Sequence, residues 1–175
     1  MFLDALPTPP GTKPQRNSSD RPKYEFIISH RDESITLGYV GPLVIKCWKD
    51  FSPHNLERME ALHHERAALH PNGIIGLNII EPINGLPTPE ARRLAQQMMS
   101  RTGSTTRALV LIMLGHDFVR NILQSMAVKV LSARGSVPVR TYRSIAGGVD
   151  WIARTNKDAP SPEELLSCIT QIRSS

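Results

Sequence analysis

An α/β fold with a mixed, mostly parallel sheet is expected from three features of the sequence. Runs rich in β-branched residues alternate with helical segments from Tyr24 onward. Three helix starts are written as a hydroxyl residue followed by proline: Ser52-Pro53, Thr88-Pro89 and Ser161-Pro162. The run NGIIGLNIIEP is apolar almost throughout, which marks a strand covered on both faces and therefore requires flanking helices. The chain has 175 residues, 40% hydrophobic and 21% charged, enough for one core but not two. Only 5% are aromatic, so that core is aliphatic.

Residues 1–22 hold Pro7, Pro9, Pro10, Pro14 and Pro22 among small polar residues, and too little apolar surface to offset the entropy of ordering. They are expected to form a mobile tail. YEFIISHRD and SITLGYVGPLVIKCWKD, separated by a turn-like DES, predict a first strand over about 24–30 and a second within 35–49. Gly41-Pro42 interrupts the second, as a bulge or as a break into two short strands, because proline cannot donate to a ladder. A helix capped by Ser52 should run to about Leu69 and stop before Pro71. The NGIIGLNIIEP strand follows, and then a helix from Thr88 to near Gly103. RALVLIMLGH is the most apolar stretch and is expected at the centre of the sheet. Phe118, Val119, Ile122, Leu123, Met126, Ala127, Val130 and Leu131 repeat at helical spacing and predict a long helix ending at Gly135. VPVRTY reads as a short strand, and SIAGGVDWIAR as a helix with Val149, Trp151 and Ile152 facing inward. Ser161 and Glu164 form a capping-box pair that opens a last helix to about Ile172.

The expected architecture is a five-stranded mixed sheet, its first strand antiparallel, flanked by four helices, with a C-terminal helix added. The domain occupies 23–157, and 158–175 form a linker and that last helix. This order, together with SITLGYVGPLVIKCWKDFSPHNLERM, RALVLIML and VPVRTYRSIAGGVDWIA, resembles the STAS domain (sulfate transporter and anti-sigma factor antagonist), in particular the divergent branch found in small bacterial proteins. The resemblance covers about Tyr24 to Arg154 and implies a non-catalytic, regulatory protein-interaction module. In that family a serine opening a helix after a strand is phosphorylated by a partner kinase. The matching segment here is INGLPTPEARR, where Thr88 is the only hydroxyl at the helix start. The resemblance makes Thr88 a candidate phosphorylation site, while Pro89 and the longer loop favour a plain N-cap.

Patterns that would signal catalysis are missing. His64-Glu65 opens like a zinc-binding helix, but the second histidine would fall at position 68, which is alanine. His63 and His70 read as residues of an exposed helix face. Gly115-His116-Asp117 stands where open α/β sheets place ligands, yet a single glycine builds no phosphate cradle, and neither a Walker pattern nor GxGxxG occurs. No GxSxG elbow presents a serine. Glu81 and Glu90 bracket one loop without a fixed element to hold them as an acid/base pair. No cofactor or metal is implied. Cys47 and Cys168 lie far apart and read as reduced structural thiols.

The net charge of +5 is concentrated: residues 91–149 carry nine basic side chains and one acidic. Arg92, Arg93, His116 and Arg120 are the candidate contacts for an anion or an acidic partner surface. Nucleic acid is disfavoured because few aromatics interleave these arginines. No apolar run is long enough to span a membrane, and the N-terminus lacks the pattern of a secretory signal, so the expected location is cytoplasmic. The expectation is a protein that docks a partner or itself. A small-anion, nucleotide or substrate site in the loops after the strands, near Glu81, Thr88 and His116, is the alternative, and electrostatic nucleic-acid binding the third.

Overall fold

A computed structural model describes residues 24–82, 87–115 and 137–174. The elements are β1 (Phe26–Arg31), β2 (Ile35–Val40), β3 (Leu43–Trp48), α1 (Pro53–Leu69), β4 (Ile74–Ile80), α2 (Pro89–Thr102), β5 (Thr106–Met113), β6 (Val139–Tyr142), α3 (Ile145–Thr155) and α4 (Pro162–Arg173). The tail expected over 1–22, the helix expected over 117–135, and with them His116 and Arg120, lie outside the described residues.

The sheet has six strands instead of five, in the order β1-β2-β3-β4-β5-β6. The added strand comes from Gly41-Pro42, which is a hairpin turn: Val40 pairs with Leu43, and β2 and β3 run antiparallel. Gly41 takes a φ of 55°, a conformation that side chains avoid, and Pro42 supplies a fixed negative φ beside it. β1 and β2 are antiparallel, as expected, and β3 through β6 are parallel. RALVLIML forms an inner strand, β5, but the middle of the sheet is the β3/β4 pair. Both of those strands are buried along their whole length.

Successive crossovers that travel in one direction across a sheet are sent to one face by their right-handedness. Accordingly α1 and α2 share a face, where Leu56, Met59, Leu62, Ala91 and Met98 pack on Ile35, Val44, Trp48, Ile74 and Ile80. After β6 the chain crosses to the opposite face. There α3 and α4 lay Val149, Ile152, Leu165, Ile169 and Ile172 on Ile45, Ile75, Leu77, Ile79 and Ile112. The last helix, set apart in the sequence reading, belongs to this layer. Trp151 is half-buried at its margin, whereas Val149 and Ile152 point fully inward. Gly148 lets α3 approach β5, since a Cβ there would stand 2.8 Å from Ile112 Cδ1. A bulge between Ile28 and His30 switches the side-chain alternation of β1. It turns His30 toward α1 and Arg31 toward α4, where the Arg31 guanidinium donates to the Gln171 carbonyl at 2.8 Å.

Candidate functional site

Helix N-termini gather at the carboxyl ends of β3, β4 and β6, the edge where open α/β sheets hold ligands. Each amide end is closed by its own hydroxyl cap. Ser52 accepts from Asn55 N, Thr88 from Ala91 N at 3.1 Å, and Ser144 from Gly147 N. Thr88 is therefore an N-cap, and it is exposed. Arg92 follows one turn later, with its backbone amide bonded to the Thr88 carbonyl, and Arg93 stands beside it; both are exposed. This corner carries two guanidiniums and the positive end of the helix dipole, offset in part by the exposed Glu90 carboxylate of the same turn.

Glu81, at the end of β4, faces the other layer. Arg173 of α4 clamps both of its carboxylate oxygens, with Nη2 donating to Oε2 at 3.1 Å. The Cys47 thiol lies 3.5 Å from Oε1, and burial, reinforced by the Glu81 charge, pushes it up to about 12. Burial likewise pushes the Cys168 thiol up to about 11. Neither sulfur is a nucleophile near neutral pH, and Glu81 is not a free base.

His30, Asp32 and Ser34 come together at the β1–β2 turn, a grouping not singled out in the sequence. Asp32 Oδ2 binds His30 Nε2 at 2.8 Å and Arg58 Nη1 at 3.1 Å, while Oδ1 accepts from Ser34 Oγ at 2.7 Å and from the Ser34 and Ile35 amides. Those bonds, His30's first, hold the Asp32 carboxyl far below the usual range. The order is wrong for hydrolysis, because a nucleophilic serine must touch the histidine, and here the carboxylate separates them. The group is a turn brace, extended to α1 through Arg58 and through Asn55, which donates to Ser34 Oγ at 2.9 Å.

Beneath α1 and α2 lies a second polar group. His63 is buried, not on an exposed face as its sequence suggested, because it continues the Leu56/Met59 stripe of α1 at a spacing of four. Its Nε2 is 2.8 Å from Thr105 Oγ1. Thr105 spends its own proton on the Thr102 carbonyl at 3.0 Å, so Nε2 carries the hydrogen of a neutral ring. Burial, with the positive charge of Lys46, pushes His63 down to about 4. Lys46 of β3 is 4% exposed, and burial alone pushes its ammonium down to about 8. Asn78 of β4, also buried, receives the Trp48 Nε1–H on Oδ1 at 3.1 Å. A lysine inside LVIKCW, a strand otherwise apolar on both faces, was the sequence signal for this group.

The His63 ring predicts an acid response. Between its unfolded value of 6.5 and its folded value of about 4 the unfolded chain takes up the proton and the native state does not. Stability is retained above pH 6.5 and falls below it, by about 1–2 kcal/mol between pH 7 and pH 5. Urea melts across that interval should show this loss, and His63→Gln should flatten most of it. An unchanged slope in the variant would place the loss elsewhere.

Among the described residues no group of three or more His, Cys, Asp or Glu side chains is arranged to hold a metal, and no helix is long and apolar enough to cross a membrane. Set against family models, curated proteins and solved structures, the chain matches none.

Proposed function

We propose that this chain is a non-catalytic, STAS-like interaction module of a bacterial cytoplasmic protein, and that it docks a protein partner or a second copy through the exposed start of α2. The observation that carries this reading is the corner formed by Thr88, Arg92 and Arg93, where a capping hydroxyl and two guanidiniums are all turned to solvent. The acid and the thiol nearest that edge, Glu81 and Cys47, are held in structural contacts. An acidic partner surface suits this corner. Phosphate on Thr88 would sit on the helix N-terminus one turn from Arg92, and would lower the positive charge that the partner meets.

The experiment is affinity capture of the full chain at native salt, with light scattering to detect self-association, repeated on Arg92→Glu/Arg93→Glu. A stoichiometric partner or a dimer is expected, weakened at least tenfold in the double variant. Finding neither, or binding indifferent to the charge reversal, would overturn the proposal. A Thr88→Asp variant should weaken the same complex more modestly. The second reading, a small-anion or nucleotide site in the loops after the strands, draws on Gly115, two residues past β5, whose φ of 122° is a conformation that favours glycine.

A further inference from the structure

We propose that Arg66 of α1 and His70, the C-cap of that helix, form a proton-operated latch on the β2–β3 hairpin, in which protonation of the His70 ring expels the Arg66 guanidinium from its seat on Tyr39 and frees the end of the helix. The latch lies at the amino ends of β3 and β4, the edge of the sheet opposite the α2 corner, and does not rest on the docking function. Arg66 and His70 are four residues apart and so stand one above the other, where the end of α1 meets the turn at Gly41.

In the closed arrangement one side chain joins three elements. Arg66 Nη2 donates to the Gly41 carbonyl at 3.2 Å and lies 3.0 Å from His70 Nε2, while the guanidinium carbon stands 3.8 Å from the centre of the Tyr39 ring. A guanidinium can only donate, so the contact with Nε2 is a hydrogen bond only while that nitrogen keeps its lone pair, in a neutral ring. A proton on Nε2 turns it into a second donor, facing a cation at bonding distance and competing for the same Gly41 carbonyl. Arg66 is the group that leaves. Its Nε–H is buried without an acceptor among the described residues, and water would supply one.

The other groups around His70 do not replace this contact. Arg66 faces the ring from α1, Arg107 from β5, Asp158 from the segment before α4, and the Gly41 carbonyl from the hairpin. Arg107 donates to both Asp158 oxygens, at 2.9 and 2.8 Å, so that carboxylate is already paired. Burial, and then the Arg66 charge, hold the His70 ring below the ordinary 6.5 of a histidine. The ring is only half-buried, which gives a proton access to it. Release stays local, because Leu56, Met59 and Leu62 fix the rest of α1 in the core. It uncovers Tyr39 beside its register partner Ile27, which is exposed already, and next to the turn on which the exposed Tyr24 ring packs.

The test is a titration of the full chain from about pH 7.5 to about pH 5, followed by 1H–13C spectra of the His70 ring and of Arg66 Cδ. Stacking on Tyr39 displaces the Arg66 δ protons upfield, and that displacement should be lost on acidification with the midpoint of the His70 ring, below 6.5. His70→Gln keeps an acceptor for Nη2 but does not titrate, so in that variant the Arg66 displacement should persist across the range. A displacement that survives the titration of His70, or that is lost equally in His70→Gln, would overturn the proposal. So would a His70 midpoint at or above 6.5. If the variant fails to fold, the wild-type titration decides alone: either the two midpoints coincide or there is no latch.

Discussion

Lys46→Met should make the protein more stable at pH 7, by on the order of 3 kcal/mol, even though it removes a side chain from the middle of the sheet. Burial moves the Lys46 ammonium from 10.5 in the unfolded chain to about 8 in the folded one. Below pH 8 both states hold the proton, and the native state bears the whole cost of an ion in an apolar layer. Between pH 8 and 10.5 the native chain has released the proton while the unfolded chain keeps it, so wild-type stability climbs with pH. Methionine fills a similar length of the same space without a charge. The gain from the substitution is therefore largest below pH 8 and shrinks to about 1 kcal/mol or less at pH 10. Urea melts of both proteins at pH 7 and pH 10 provide the check. A variant no more stable than wild type at pH 7 would show that the ammonium is compensated.

What the sequence made legible here depended on whether a signal was local. Ser52-Pro53, Thr88-Pro89 and Ser161-Pro162 each place a hydroxyl and a fixed φ at a helix start, and all three helices begin there, the last with both halves of its capping box. IIGLNII is apolar on both faces because helices cover both faces. Gly41-Pro42 was ambiguous, since a bulge and a hairpin use the same residues and only pairing with a neighbouring strand separates them. That β3 and β4, not β5, form the middle pair is likewise a matter of partner choice, which hydropathy does not encode. Of the candidate site, Thr88, Arg92 and Arg93 stand together as sequence spacing places them on one helix end. Glu81 is the reverse case. It looked available beside a loop, and only the arrival of Arg173, from the far end of the chain, takes it out of use. Lys46, Gly76 and Asn78 meet through parallel register, and no linear pattern announces such a meeting.

Ending the chain at Asp158 should abolish cooperative folding, the other large effect expected. The segment removed contains α4, whose Leu165, Ile169 and Ile172 are at most 2% exposed and lie in one core cluster with Val149 and Ile152 of α3. Burial of each such side chain contributes about 1.5–3 kcal/mol, so three contribute roughly 5–9. A domain of this size is stable by only about 5–15 kcal/mol in total. Removal would also uncover part of the apolar face formed by Ile45, Leu77 and Ile79, and it would leave Glu81 without Arg173. The truncated chain should lose its near-ultraviolet circular dichroism and its sigmoidal melt, and bind an apolar dye. Leu165→Ala, which leaves the helix in place, should cost about 2–5 kcal/mol and keep the transition cooperative. A truncated chain melting sharply within a few degrees of the full one would mean that the α3/α4 layer is not one cooperative unit. The reason to expect otherwise is geometric: the described crossover helices, α1 and α2, lie on the opposite face, so the described helices that cover this side of the sheet are those after β6. α3 spans only 11 residues and packs mainly on β5 and β6, whereas α4 is the helix that meets β2 and β3.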